Sequence, residues 1–202
     1  MAPLEIEVKF YLSDPDAARE RILAMNARFS GKSVETNIRF EDRDHTLIRK
    51  KSLLRVRKTD HHSLLTFKAP PPDTDVEFKV HRELEVTVSD FDTTCNLLEM
   101  LGYHPVQQYE KIRETYEVKG AQLCLDRMPF GYFLEIEGNP SVIRATAAQL
   151  GLPWGERILT SYLAIFDRLK TGLNLEFDDV TFENFSDLAI DFNQHRHWFI
   201  AG

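Results

Sequence analysis

The 202-residue chain predicts an α+β fold, an antiparallel β-barrel with helices packed outside it, and three observations carry that prediction. Strand patterns arrive in hairpin-spaced runs in the order strand, helix, strands, helix, strands, helices, which argues against a doubly wound parallel sheet. Charged and apolar residues alternate with period two along those strands, so each has one charged and one apolar face. The charged faces differ in sign, some acidic and some basic.

In the first strand, Leu4 to Tyr11, Glu5, Glu7 and Lys9 share one face and Ile6, Val8 and Phe10 the other. Ser13 or Asp14 then caps a helix with Pro15 in its first turn, and Ala17, Ala18, Ile22, Leu23, Met25 and Ala27 carry it towards Phe29. Asn26 to Ser33 ends in Gly31-Lys32-Ser33, which imitates a nucleotide P-loop. Asn26 replaces that motif's first glycine and the tripeptide follows a helix where a P-loop opens one, so we set that reading aside. Asn37 to Glu41 is a strand. Leu53 to Lys58 and Ser63 to Lys68 form a hairpin around Thr59-Asp60-His61-His62, whose histidines are solvated turn residues. Arg55 and Arg57 share a face, and Lys68 joins them if the register allows.

Ala69 to Asp73 is a proline-rich loop. Val80 to Val88 is a strand with Glu83 and Glu85 opposite Leu84 and Val86, followed by a helix from Ser89 to Leu101 that Gly102 ends. Gln108 to Val118 presents Lys111 and Arg113, Gln122 to Asp126 follows, and Tyr132 to Glu137 presents Glu135 and Glu137. Gly138-Asn139-Pro140 then turns the chain into helices, one to Leu150 and one from Gly155 to Leu169. Both halves run from a Glu-x-Glu strand through a helix to further strands, a weak internal repeat.

A hydrophobic content of 43% is ample for a core, and a net charge of −7 argues against a general nucleic-acid binder. Charge is local: Arg39, Arg43, Arg49, Lys50, Lys51, Arg55, Arg57, Lys58 and Lys68 fall within one stretch, which points to an anionic ligand. Cys95 and Cys124 have neither CxxC spacing nor a His/Cys cluster, so they predict small core residues and neither a disulfide framework nor a zinc site. With no basic leader and no run of about 18 apolar residues, the expectation is a cytoplasmic protein with no membrane partner. On that expectation the Asn184-Phe185-Ser186 sequon is a chance match.

Closing the strands into a barrel forces a choice between the faces. Helices outside need an apolar surface to pack on, and the strands' apolar faces supply it, so the charged faces point inward. The lumen then holds Glu5, Glu7, Glu83, Glu85, Asp126, Glu135 and Glu137 with Lys9, Arg55, Arg57, Lys68, Lys111 and Arg113. Burying so many charges is costly unless they pair or bind ligands. Carboxylates suit Mg²⁺ or Mn²⁺, and arginine and lysine suit phosphate oxygens, so a metal-bound polyphosphate satisfies both sets.

Glu5-Ile6-Glu7-Val8-Lys9 matches the ExExK signature of the CYTH superfamily, the triphosphate tunnel metalloenzymes. Leu54-Arg55-Val56-Arg57, Thr66-Phe67-Lys68, Arg82-Glu83-Leu84-Glu85, Lys111-Ile112-Arg113, Leu125-Asp126 and Phe133-Leu134-Glu135-Ile136-Glu137-Gly138 resemble its later blocks in order, over residues 4 to 170. The resemblance implies a closed eight-stranded antiparallel tunnel that binds a small-molecule triphosphate with one or two divalent ions. It implies Glu5, Glu7, Asp126, Glu135 and Glu137 as metal ligands and Lys9, Arg55, Arg57, Lys68, Lys111 and Arg113 as phosphate holders. Glu83 and Glu85 would support them as tunnel carboxylates, and Glu5, Glu7, Lys9 and Lys68 are the catalytic candidates. Arg39 departs from the aromatic residue usual in its block, which leaves its direction open.

The expected activity is metal-dependent hydrolysis of inorganic, nucleoside or thiamine triphosphate. A class IV adenylyl cyclase is one alternative and a non-catalytic polyphosphate or nucleotide sensor another; Trp154 and Trp198, outside the tunnel strands, weaken the thiamine option. Residues 1–170 are expected to form the tunnel domain and 171–202 an acidic extension. Phe177, Val180, Phe182, Phe185, Leu188, Ile190, Phe192, Trp198 and Phe199 make that extension apolar enough to pack on the barrel or on a second subunit, in a monomer or homodimer. His195 and His197 are read as surface residues.

Overall fold

The computed structural model describes residues 3–72 and 77–200. Its strands are β1 (Leu4–Leu12), β2 (Arg28–Glu41), β3 (Leu53–Lys58), β4 (Ser63–Ala69), β5 (Lys79–Val88), β6 (His104–Val118), β7 (Ala121–Met128) and β8 (Gly131–Gly138). Helices α1 (Pro15–Ala24), α2 (Thr46–Arg49), α3 (Phe91–Met100), α4 (Pro140–Gln149), α5 (Tyr162–Leu173), α6 (Phe182–Phe185) and α7 (His197–Ile200) intervene or follow. Every strand pair is antiparallel, and the order β1-β5-β4-β3-β2-β6-β7-β8 closes into a ring.

The weak repeat in the sequence has a topological counterpart. Each half is a strand, a helix and a three-strand meander: β1-α1-β2-β3-β4, then β5-α3-β6-β7-β8. The first strand of each half pairs with the last strand of the other, β1 with β8 and β5 with β4. The halves differ at their second connection. There α2 follows β2, whereas Lys119-Gly120 joins β6 to β7 with positive φ at both positions, 46° and 80°, as a tight hairpin turn requires.

The helices lie on apolar strand faces, as the inward-charge argument requires. Val8, Phe10, Leu123, Leu125, Leu134 and Ile136 form one core with Ile22 of α1 and Ile143 and Ala147 of α4. Phe40 and Val56 pack on Cys95 and Leu98 of α3 in another. Both cysteines are buried as expected, Cys95 in this core and Cys124 on the inward face of β7 between Gln122 and Asp126. Ile136 has no exposed surface. Ile136→Ala is expected to destabilise the fold by about 2–5 kcal/mol, read as a lower urea midpoint at unchanged slope.

Several element boundaries differ from the sequence reading, and those of α1, β2 and α5 have a local cause. Asp14 caps α1 by accepting from the Ala17 amide at 2.9 Å, but the helix ends at Ala24, because Asn26 takes a left-handed conformation (φ 57°). Phe29 and the P-loop imitation therefore lie in β2, which starts at Arg28 and not Asn37. The last long helix starts at Tyr162, where the Ser161 hydroxyl accepts from the Ala164 amide, and not at Gly155. Trp154–Glu156 makes one 3₁₀ turn, and the chain after it is held extended because β1 pairs with β5 only from Leu4 to Glu7 and its edge is then free; Ile158 fills it, exchanging backbone hydrogen bonds with Lys9 at 3.2 and 2.7 Å. Ala69 ends β4, and Asp73, assigned to the following loop, lies outside the described residues.

A third core closes one end of the ring. Tyr11, Met128, Phe130 and Phe133 of the barrel pack with Phe166 and Leu169 of α5 and with Phe177, Val180, Phe185 and Phe199 beyond it. Phe133 meets Tyr162 at 5.1 Å and Phe199 at 5.7 Å between ring centroids. Val180 pairs along the edge of β6, exchanging backbone bonds with Gln108 and Glu110 at 2.8 and 2.9 Å where β7 no longer reaches. Among the described residues no helix is long and apolar enough to cross a membrane.

Candidate functional site

Between that aromatic plug and the opposite end lies a cavity of about 880 Å³. Because strand side chains alternate, the ring fixes which residues line it: Glu5, Glu7 and Lys9 from β1, Arg55 and Arg57 from β3, Lys68 from β4, Glu83 and Glu85 from β5, Lys111 and Arg113 from β6, Glu135 and Glu137 from β8.

One side of the cavity is basic and braced from behind. Asp126, with no exposed surface, accepts from Arg113 at 2.7 and 2.5 Å, from Lys111 at 3.0 Å and from the Tyr162 hydroxyl at 3.0 Å. Arg113 also pairs with Glu135. Glu35 stands 3.3 Å from Arg57 and 3.6 Å from Lys111, and the Asn37 amide oxygen accepts from Arg57 at 3.1 Å. Burial pushes the Glu35 carboxyl up, but Lys111, Arg57 and Arg113 outweigh it and bring it down to about 2. Arg55 donates to the Tyr109 hydroxyl at 2.9 Å, and burial together with Arg55 pushes the Arg57 guanidinium below its ordinary range. The cations here are crowded.

The other side is acidic. Lys68 pairs with Glu5 and, at 3.2 Å, with Glu83; Lys79 pairs with Glu7 at 2.6 Å. Lys9, only 1% exposed, stands 3.3 Å from Glu7 and 3.4 Å from Glu135, with Tyr162 facing it at 4.9 Å. Burial raises the Glu7 carboxyl, yet Lys79, with help from Lys9 and Lys68, holds it below the carboxylate range. Glu137 differs: its only polar contact among the described residues is the Gln122 amide at 3.4 Å, and burial followed by the charges of Glu5 and Glu7 pushes it up to about 7. The Thr66 hydroxyl donates to Glu85 at 2.7 Å.

The model of the CYTH domain matches residues 3–148. The chain belongs to the CYTH family. It is 28% identical over 141 residues to a Methanocaldococcus jannaschii protein named as a candidate adenylate cyclase, covering 69% of this chain and 79% of that one. The Pyrococcus horikoshii protein PH1012 superposes with a TM-score of 0.67 at 29% identity, over 78% of this chain and 96% of its own. A Hippeastrum protein described as a candidate adenylyl cyclase with a dominant triphosphatase activity shares the fold at a TM-score of 0.58 and 21% identity, over 81% and 95%.

In this CYTH domain the cavity gathers every site residue named from the sequence except Asp126. Expected as a metal ligand, Asp126 shares the inward face of β7 but is fully buried and outside the cavity lining, its oxygens engaged by Lys111, Arg113 and Tyr162, because β6 and β7 pair Arg113 directly against it. Arg39, whose direction was open, faces inward, 3.5 Å from the buried Glu41. Glu35, Asn37, Tyr109, Lys79, His81 and Tyr162 were missed. Glu35-x-Asn37-x-Arg39-x-Glu41, Lys79-x-His81 and Tyr109-x-Lys111 continue the inward alternation and were there to be read. Tyr162 comes from a helix and left no such signal. Burial, then the Lys79 ammonium, pushes the His81 imidazole down to about 4, which leaves it neutral around pH 7.

Proposed function

We propose that the protein hydrolyses a triphosphate compound inside this tunnel with the help of Mg²⁺ or Mn²⁺. The reading rests on one observation: the same cavity buries cations, Arg57 among them beside Arg55, and a carboxyl group, Glu137, beside Glu5 and Glu7. A polyphosphate relieves the first and a divalent cation the second.

The acidic side fits such an ion in its chemistry, since Glu5, Glu7 and Glu137 offer hard oxygen donors and Glu137 has no cationic partner among the described residues. Among the described residues no three carboxylate, histidine or cysteine side chains converge to hold one, and Lys68 and Lys79 occupy Glu5 and Glu7. Phosphate oxygens would draw those lysines away and free the carboxylates. A bound divalent ion would supply charge neutralisation and acidify a water for attack. Arg55, Arg57, Lys111 and Arg113 would hold the phosphate chain, with Glu35 and Asp126 fixing their orientation from behind, so that charge developing on the transferred phosphoryl group meets preorganised donors. Lys9, between Glu7 and Glu135, is placed to bridge the acidic and basic sides.

A cyclase reading is the second one, supported by the name of the Methanocaldococcus relative. Both are tested by incubating the protein with tripolyphosphate, ATP and thiamine triphosphate, with Mg²⁺ and with Mn²⁺, and resolving the products. Orthophosphate that requires metal is the expected outcome. Cyclic AMP with pyrophosphate would replace hydrolysis by cyclisation, and binding without turnover would leave a sensor.

A further inference from the structure

We propose that Tyr162 is a positioning residue for the phosphate-binding cations of the tunnel, its ring steering the Lys9 and Lys111 ammonium groups and its hydroxyl fixing Asp126. This deepens the triphosphate reading above and rests on it. Tyr162 lies beyond residues 3–148, the stretch that the family model matches. Two anchors place it against the cavity. Ile158 pairs with the backbone of Lys9, and the Ser161 hydroxyl caps the helix that Tyr162 begins. Phe133 then meets the ring edge to face, 5.1 Å between centroids.

Lys9 Nζ stands 4.9 Å and Lys111 Nζ 5.6 Å from the centroid of the Tyr162 ring, both within cation–π range. Lys9 is already beside Glu7 and Glu135, and Lys111 beside Asp126. A further carboxylate at this place would cancel charge that a phosphate needs, whereas an aromatic face attracts an ammonium and leaves its charge intact. The hold has a purpose, because an ammonium on a flexible four-carbon stem otherwise swings freely. The hydroxyl acts separately. It donates at 3.0 Å to Asp126 Oδ2, the oxygen that Lys111 and Arg113 also contact. Burial, then the charges of Asp126 and Glu135, pushes that hydroxyl well above its ordinary range, so it stays a donor near neutral pH. A phenylalanine would fill the same space beside Phe133, but only a tyrosine also ties the ring to the carboxylate that aims Lys111 and Arg113.

Tyr162→Phe keeps the ring and removes the hydroxyl, and Tyr162→Leu removes both. Calorimetry with diimidotriphosphate, whose P–N–P bridges resist hydrolysis, reads the affinity of the full chain in Mg²⁺ buffer, with circular dichroism checking that each variant is folded. Tyr162→Phe is expected to weaken binding about two- to tenfold, the net worth of one hydrogen bond. Tyr162→Leu should lose about a further twofold or more, the scale of a cation–π contact. Side-chain NMR reads the ring directly: the Lys9 and Lys111 ammonium ends should show ring-current shifts in wild type and Tyr162→Phe that vanish in Tyr162→Leu. A lowered urea midpoint with unchanged affinity in both variants makes Tyr162 a packing residue only, which overturns the proposal and leaves the tunnel reading standing. Lysine signals indifferent to Tyr162→Leu overturn the role of the ring. Wild-type protein that binds no analogue overturns both readings.

Discussion

Arg113→Ala is expected to cost about 3–5 kcal/mol of stability, the scale of breaking a buried ion pair from one side, and to abolish turnover. The stability loss comes from what the arginine leaves behind. Asp126 is fully buried and Glu135 nearly so, and Arg113 bridges them with a two-pronged grip on Asp126. Lys111 and Tyr162 would still contact Asp126, and Lys9 would stay 3.4 Å from Glu135, but the two buried carboxylates would lose the cation that they share. Arg113→Lys recovers only part of the loss, because an ammonium cannot reproduce the planar fork. Arg57→Ala should cost less stability, since Arg57 is itself destabilised by burial and by Arg55, and Glu35 keeps Lys111. Urea unfolding of the three variants ranks them; Arg113→Ala within 1 kcal/mol of wild type would mean the bridge is energetically idle. Combining Arg113→Ala with Asp126→Ala should recover part of the loss, because the deserted carboxylate goes too.

That bridge was more legible in the sequence than it was made to be. Lys119-Gly120 is a two-residue turn, so Val118 must oppose Ala121, and counting back along both strands sets Arg113 against Asp126. The same counting from the next turn sets Cys124 against Glu135 and Gln122 against Glu137. The ring and the inward direction of its charges could be read because period-two alternation leaves two faces and the helices claim the apolar one. The first half of β2 was missed because Phe29-Ser30-Gly31-Lys32-Ser33 does not alternate cleanly, and its pairing with β6 shifts register between Phe29 and Gly31. Tyr162 and the aromatic plug depend on where a helix crosses the end of the ring, a tertiary fact with no local periodicity.

Glu137→Gln is expected to cut metal-dependent phosphate release by about 10²-fold or more, the scale of removing one transition-state-stabilising group, while making the metal-free protein more stable above pH 7. The two effects share one cause. Burial and the charges of Glu5 and Glu7 raise the Glu137 carboxyl from its ordinary 4.5 to about 7. The folded protein thus keeps a proton that the unfolded chain releases. Stability from this group is full below about pH 4.5, is lost as pH rises to about 7 and stays lost above it. His81 works in the other direction: lowered from 6.5 to about 4, it contributes above 6.5 and that contribution is lost as pH falls. The two windows overlap and oppose, so the wild-type curve alone does not separate them, whereas the difference between wild type and Glu137→Gln isolates the carboxyl. Under the proposed function a divalent ion would compete with the Glu137 proton, so wild-type turnover at limiting metal should rise with pH through about 7, and its midpoint should move to lower pH as metal is added. The glutamine variant should show neither the stability slope nor the metal-dependent midpoint. Unchanged turnover in that variant, or a wild-type midpoint indifferent to metal, would remove Glu137 from the metal site and with it the reason its charge is held beside two others.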